Sequence, residues 1–566
     1  MELMLNFNIM KRIFLYISLA LALTSCQKLD LNPLSQGSSE TWNSNADELV
    51  MSLNDLYREA LWIKDLDDWT DDWIYRDGLT DITNATINGQ TGFVNESWKN
   101  TYKAISRANT VLESMDRVSG VLSEAQINGY IAEAKFVRAS MFSFLLSHYK
   151  NVVHMDRTLT IEEANEIKQI NPEELLKKIY EDYDFAIANL KEKYSSNELK
   201  RVTKGAALAM KARIALYMGD FATAKVTAKE CMDLGIYTLH QDYGNLFLSK
   251  TKQSSESIFL LPRSITLGVA LGDRQNYIPR NNGGWAAKDP SWDLFFSYYC
   301  VDGLPVDESP LFDPKNPFEN RDPRCNATIV PFNEPFLDYI YNPHPLALKT
   351  KKVSTGQDVN NNDNRAVAQY ASFNGLVWKK GVDSDWLLNS WRTEPDNIII
   401  RYADVLLMYA EAKIELNEID QSVLDAINQV RERAYKGEAT FPKVTVLNQA
   451  SLRKIVRAER RMEFALEGLR YMDIIRWKIA EKVLNKPNYG LLDPADLVSK
   501  VVNTGKWFLP TAPNIDDDGI ADFSSFFTQG LIKQIAVRKF DAKKQYIWPI
   551  PSTEVLTSGL TQNPNY

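Results

Sequence analysis

Two stretches far apart in the chain, ARIALYMGD at 212 to 220 and AKIELNEID at 412 to 420, agree at Ala, Ile, Leu and Asp, with Arg replaced by Lys. Each runs into a second segment of helical spacing, FATAKVTAKECMDLG and QSVLDAINQVRERA. A short helix pair with small residues at its contact cannot bury its apolar face alone. It must stack on the next pair, so a repeated pair constrains the whole architecture.

Helix, tight turn and second helix in this order are the tetratricopeptide arrangement. The predicted fold is therefore mostly α, a tetratricopeptide-like helical-pair superhelix with a loop-rich irregular part packed on one side. Further helical spacing covers 45 to 61, 96 to 117, 123 to 149, 172 to 193, 203 to 234, 398 to 434 and 450 to 484. Ser123 with Gln126 and Asn171 before Pro172 mark two of the starts. Between 236 and 395, Gly, Pro, Asn and aromatic residues crowd together, as in DRQNYIPRNNGGWAAKDPSW and DVNNNDNRAV, and the tail from 500 to 566 is again irregular. The expected organisation is a signal peptide over 1–25 and one unit over 26–566, divided into a helical part (26–235), a loop-rich middle (236–397) and a C-terminal helical part with its tail (398–566).

Lys11 and Arg12 precede an apolar run, Ile13 to Leu23, that is too short to span a bilayer. Nine residues before Met10 are long for an n-region, so Met1 and Met10 are both candidate starts. Leu23-Thr24-Ser25-Cys26 resembles a lipobox, whose cysteine is lipidated and becomes the mature N-terminus. Buried acyl chains contribute about 0.8 kcal/mol per methylene, enough to hold a water-soluble body at a membrane. A net charge of -8 and a pI near 5.4 argue against a nucleic-acid partner, which needs a basic face. Cys231, Cys300 and Cys325 remain as an odd set in which a Cys300 to Cys325 bridge is one option. The four histidines are scattered, which disfavours a zinc site.

Several segments together resemble the SusD/RagB family of outer-membrane nutrient-binding lipoproteins. They are IIIRYADVLLMYAEAK (398 to 413), INQVRERA (427 to 434), IVRAERRMEFALEGLRYMDIIRW (455 to 477) and QYIWPIPSTEVLTSGLTQNPNY (545 to 566). Upstream, SWKNTYKAISRANTVLESM (97 to 115), AEAKFVRASMFSFLLSHYKNV (132 to 152), VTKGAALAMKARIALYMGD (202 to 220) and NRDPRCNATI (320 to 329) follow in the same order. The resemblance implies a lipid-anchored, cell-surface protein of the outer membrane that captures oligosaccharides and acts as the lid of a SusC-like TonB-dependent transporter. It implies no cofactor. QKLDLNP after Cys26 is similar to the leader of such proteins, with Asp30 as its one acidic residue. The charged residues of the signature, among them Glu459, Arg460, Arg461, Glu463, Glu467, Arg470, Asp473 and Arg476, read as i to i+3 and i to i+4 charge pairs and interhelical contacts rather than a catalytic pair.

A sugar offers flat C–H faces and rings of hydroxyls, so its site needs aromatic rings beside planar hydrogen-bonding groups. DLDDWTDDWIYRDG (65 to 78) offers Trp69, Trp73 and Asp67; RQNYIPRNNGGW (274 to 285) offers Asn276, Tyr277 and Trp285 beside a flexible Gly pair; DWLLNSWRTE (385 to 394) offers Trp391 and Arg392. Trp69 and Trp73 are four apart and also fit one buried stripe. NIDDDGIAD places Asn514, Asp516 and Asp518 before Gly519 like the start of an EF-hand loop, but Ser525 stands where the closing glutamate belongs. Two other functions stand beside glycan capture. A RagB-like lid would capture peptides, and a surface glycoside hydrolase would need two carboxylates at a set separation, for which the chain carries no signature.

Overall fold

The computed structural model describes residues 42–195, 201–272, 274–436 and 440–566. The signal segment and Cys26 lie outside these. Ten helices carry the superhelix: α1 (Ala46–Asp55), α2 (Gly92–Glu113), α3 (Glu124–His148), α4 (Pro172–Asn189), α5 (Lys204–Tyr217), α6 (Phe221–Asp233), α7 (Tyr402–Glu415), α8 (Gln421–Ala434), α9 (Gln449–Phe464) and α10 (Arg470–Arg476). Neighbours in sequence pack as neighbours in space from α2 through α6, and α7 continues the stack on α6 across the loop-rich insertion.

The repeat explains itself at its shared aspartate. Asp220 accepts the backbone N–H of Thr223 and Asp420 that of Ser422, so each caps the second helix of its pair. The first helices end alike, with Gly219 (φ 80°) and Asn417 (φ 56°) in the left-handed conformation just past the C-cap. Ser123 and Gln126 form a full capping box, and Asn171 caps a helix opened by Pro172.

Four short strands position the insertion: β1 (Trp73–Tyr75), β2 (Ser257–Leu261), β3 (Lys288–Pro290) and β4 (Asn397–Arg401). Antiparallel β2 and β4 join the insertion's two ends, so it leaves and returns at one point on the stack. β1 pairs with β3, Trp73 opposite Pro290 and Tyr75 opposite Lys288. The insertion has its own aromatic core, around Trp292, Phe295, Trp378 and Phe508, to which the tail residues 491 to 532 also contribute. Trp548 instead docks into the helical core against Trp69, Phe93, Tyr149 and Tyr471.

The signature charges lie at the junction of these two bodies. Glu256, Glu459 and Glu463 are fully buried with Arg324 and Arg401. Glu463 accepts from Arg401 (2.6 Å), Arg324 (3.0 Å) and Arg433; Glu459 pairs with Arg324 (2.8 Å) and Arg431 (2.7 Å); Glu467 pairs with Arg401 (2.7 Å) and Lys380 (2.6 Å). A second group joins Arg460 and Arg476 to Asp404, Glu411 and Asp473. Nearly all of these contacts run between elements, and only Arg476 with Asp473 is a local i, i+3 pair. The three described cysteines are buried free thiols, so Cys300 and Cys325 are not bridged, and burial raises the Cys325 thiol to about 12.

Candidate functional site

Trp285 closes a loop that the insertion builds with care. The Trp285 N–H donates to the Gln275 carbonyl (2.6 Å), Ala286 to Ile278 (2.9 Å) and Ala287 to Asn276 (2.8 Å), which folds 275–287 back on itself. Asp363 accepts the N–H groups of Arg280 (2.6 Å) and Asn281 (3.2 Å), and the Asn281 amide donates to Asp363 (3.1 Å) and Asn361 (3.2 Å). Asn361 is itself fixed by the carbonyls of Asn342 (2.8 Å) and Ala347 (2.7 Å). The Asn-rich run that reads as a plain loop is thus a buried cradle for the Trp285 loop.

The glycine pair is correspondingly not a hinge. Gly283 takes φ 82°, and its missing side chain admits the Trp391 ring, whose Cη2 would stand 3.1 Å from a Cβ there. Gly284 packs so tightly that a Cβ would meet the Ile278 carbonyl oxygen at 2.1 Å. Gly284→Ala must therefore displace backbone, at a cost of about 1 to 3 kcal/mol typical of overpacking. Hydrogen exchange should show lost protection over 275–287 with the helices unchanged; full protection of that loop would mean the close contact is tolerated.

Trp285 itself is 46% exposed. Its carbonyl accepts from Arg76 Nη1 at 2.6 Å, and the same nitrogen donates to the Tyr370 carbonyl at 2.9 Å. Trp391 is half-buried, 4.3 Å from the buried Trp386, while Arg392 is exposed and donates to the Asn389 carbonyl. All three predicted stretches meet here: 385–394 packs on 274–285 where Trp391 faces Gly283, and Arg76 of 65–78 holds the Trp285 carbonyl.

A cleft of about 450 Å³ lies beside this loop, lined in part by Asp67, Asp68, Trp73, Arg274, Tyr277 and Lys288. The Lys288 ammonium stands 5.6 Å from the Trp73 ring centre, 5.9 Å from Tyr75 and 5.8 Å from Tyr277, a cation held by three rings. Burial raises the Asp67 carboxyl to about 7, with the like charge of Asp72 adding to it, and burial raises Asp68 to about 6 against the pull of Lys288. Asp67 accepts the Gly468 N–H (2.9 Å), and Asn276 is buried in the turn below Tyr277.

Trp69 stands apart from the cleft. It is 4% exposed, with Phe93 at 4.9 Å, Trp548 at 5.3 Å and Tyr471 at 5.5 Å, so this predicted binding residue is instead packed in the helical core, where its ring has no open face for a sugar. Its neighbours Asp71 and Asp72 bind Arg461 (2.8 and 2.5 Å), tying the segment to α9. The acidic turn is likewise committed: Asp516 pairs with Lys482 (3.0 Å), Asp517 with Lys454 (2.5 Å) and Asp518 with Lys482, while Asn514 lies in a two-residue ribbon opposite Asp522. The carboxylates of this turn are thus charge-paired with Lys454 and Lys482.

Sequence reasoning missed Arg76, Asp363 and Tyr370. The first two act through backbone contacts that only the fold creates, and Tyr370 sits in AVAQYASF, a context without Gly, Pro, Asn or a charged residue to mark a binding loop.

Comparison with known proteins finds relatives of the chain as a whole. A model described as the SusD family matches residues 263–566, one described as starch-binding associating with outer membrane matches 36–216, and one for the prokaryotic membrane lipoprotein lipid attachment site matches 10–27. SusD-like protein P25 of Formosa agariphila is 26% identical over 425 residues, covering 72% of this chain and 75% of that protein. The crystal structure of a SusD-like carbohydrate binding protein from Bacteroides fragilis superposes with a TM-score of 0.73 at 26% identity, over 91% of this chain and 98% of the other. A laminarin binding SusD-like protein shares the fold, with a TM-score of 0.58 at 21% identity over 92% of this chain and 100% of that one.

Proposed function

The chain belongs to the SusD family, and from that premise we propose that it is a surface-exposed, lipid-anchored binding protein that captures oligosaccharides and serves as the lid of a SusC-like TonB-dependent transporter. The observation that carries the binding reading is the Trp285 loop. An indole 46% exposed on a loop fixed by internal hydrogen bonds and the Asp363 cradle is preorganised, so little ordering cost is left to binding. The adjoining cleft supplies Tyr277, Lys288 and Asp68 for hydroxyl groups. Lipid attachment at Cys26 supplies the membrane link, and no helix among the described residues is long and apolar enough to cross a bilayer. The partner is inferred from the family rather than from a surface of this molecule.

Trp285→Ala tests the site. Stacking on an aromatic ring contributes about 1 to 3 kcal/mol by analogy with other flat ligands, roughly tenfold or more in affinity. The melting temperature should not change, because the side chain projects from a loop outside the helical core. Starch and laminarin are the first probes, starch from the description of the N-terminal match and laminarin from the structural relative. Affinity electrophoresis with both, extended to other neutral and acidic polysaccharides and to peptides, measures retention of wild type and variant. Wild-type retention by the variant removes this loop from the site. Release of reducing ends would support the hydrolase, and binding of peptides alone the RagB-like lid.

A further inference from the structure

Among the described residues three aromatic side chains are exposed, Trp285 at 46%, Tyr370 at 50% and Phe527 at 41%. Trp285 and Tyr370 are remote in sequence, yet one guanidinium nitrogen serves both. Arg76 Nη1 donates to the Trp285 carbonyl at 2.6 Å and to the Tyr370 carbonyl at 2.9 Å, and the guanidinium carbon lies 5.2 Å from the centre of the Tyr370 ring. Arg76 follows β1 directly, and its N–H donates to the Ala287 carbonyl (3.1 Å), so the bracket is an extension of the β1–β3 ribbon. Its side chain is only 14% exposed and meets Asp77 at 3.6 Å. Single exposed rings are ordinary, but two exposed aromatic residues whose backbones are held together by one half-buried arginine form a patch. Their coincidence at one point of the surface has a simple physical use.

We infer that Tyr370 is a second stacking ring of the same site and that Arg76 is the positioning residue that sets it beside Trp285. Two rings on one bracket present two faces to a ligand, which suits a chain of at least two pyranose units and gives a monosaccharide only half the contact. The inference rests on the reading that Trp285 meets the glycan. A rigid bracket also makes the rings act together, so the loss of Arg76 should reach both.

The test uses the full protein and the same polysaccharide panel, starch and laminarin first, with glucose as the single-unit competitor. Tyr370→Ala should weaken retention about tenfold, and Tyr370→Phe should restore it, since the ring and not the hydroxyl does the work. Arg76→Ala should weaken retention as much, and adding it to the Trp285→Ala, Tyr370→Ala double variant should cost little more. Glucose should compete poorly for the wild-type protein. If Trp285→Ala loses binding while Tyr370→Ala keeps it, the second ring is overturned and the glycan site stands. If all three variants bind as wild type, or the protein retains no polysaccharide of the panel, the site and the second ring fall together. Should Arg76→Ala fail to fold, Tyr370→Ala with Tyr370→Phe still decides.

Discussion

Glu463→Ala is expected to destabilise the folded protein by about 3 to 5 kcal/mol, the usual result of removing one partner from a buried ion pair. Glu463 is fully buried, and its two oxygens serve Arg401, Arg433 and Arg324. Truncation leaves those guanidinium groups short of a counter-charge where water cannot reach them, which is why the effect exceeds that of a surface pair. Arg401 carries β4 at the insertion's return, Arg433 ends α8 and Arg324 lies within the insertion, so the loss loosens the seam between the helical stack and the loop-rich body. Glu463→Gln keeps the hydrogen-bonding shape and should lose less. Burial would raise the Glu463 carboxyl, but Arg433, Arg401 and Arg324 hold it down at about 2. A lowered folded-state value means that its contribution is fully present above the ordinary carboxyl value near 4.5 and fades as the pH falls toward 2. Denaturant melts at pH 7 measure the effect, with glycan affinity per folded molecule expected to stay at the wild-type level. Unchanged melts would deny the network its structural role, and a stable variant that had lost turnover of a glycan would reopen the hydrolase reading.

Helix starts are legible in the sequence because the structure they specify is itself local. Ser123 with Gln126, Asn171 with Pro172 and the aspartates of the repeat announce helix starts through hydrogen bonds that span two or three residues. The stack follows, because small and apolar residues at helical spacing have no other way to be covered. The site is different in kind. The spacing of Trp69 and Trp73 only hints at a buried stripe, and what covers Trp69 is Trp548, which arrives from the far end of the chain, together with Phe93 and Tyr471. Asn361 and Asp363 look like turn formers, as such residues are in water-exposed loops, but here the amide of one and the carboxylate of the other answer carbonyl and N–H groups that two separate segments, 342–347 and 280–281, bring in. Composition cannot distinguish an asparagine that solvates a loop from one that builds a cradle. Tyr370 carries no local signal at all, since its meaning depends on Arg76, almost three hundred positions away.

Cys26→Ala is expected to move the protein from the membrane pellet to the soluble fraction almost completely, the largest change in distribution that a single substitution can make here. Cys26 ends the match to the lipid attachment site but one residue, and lies outside the described residues, so the reasoning is chemical. Acyl chains on this residue hold the protein by about 0.8 kcal/mol for each buried methylene, and one chain alone binds only reversibly. The described body offers no replacement, because none of its helices is long and apolar enough to cross a bilayer. Nor does a signal segment left uncleaved in the variant supply one: Ile13 to Leu23 is about half the length a spanning helix requires. Fractionation of cells that lack the proposed SusC-like partner removes the remaining route of attachment, through a protein. Fatty-acid labelling of wild type alone, together with a soluble variant that still binds the same polysaccharide, would separate anchoring from capture. A variant that still sediments with washed membranes in such cells overturns the lipid anchor and leaves the glycan site to be judged on Trp285 and Tyr370.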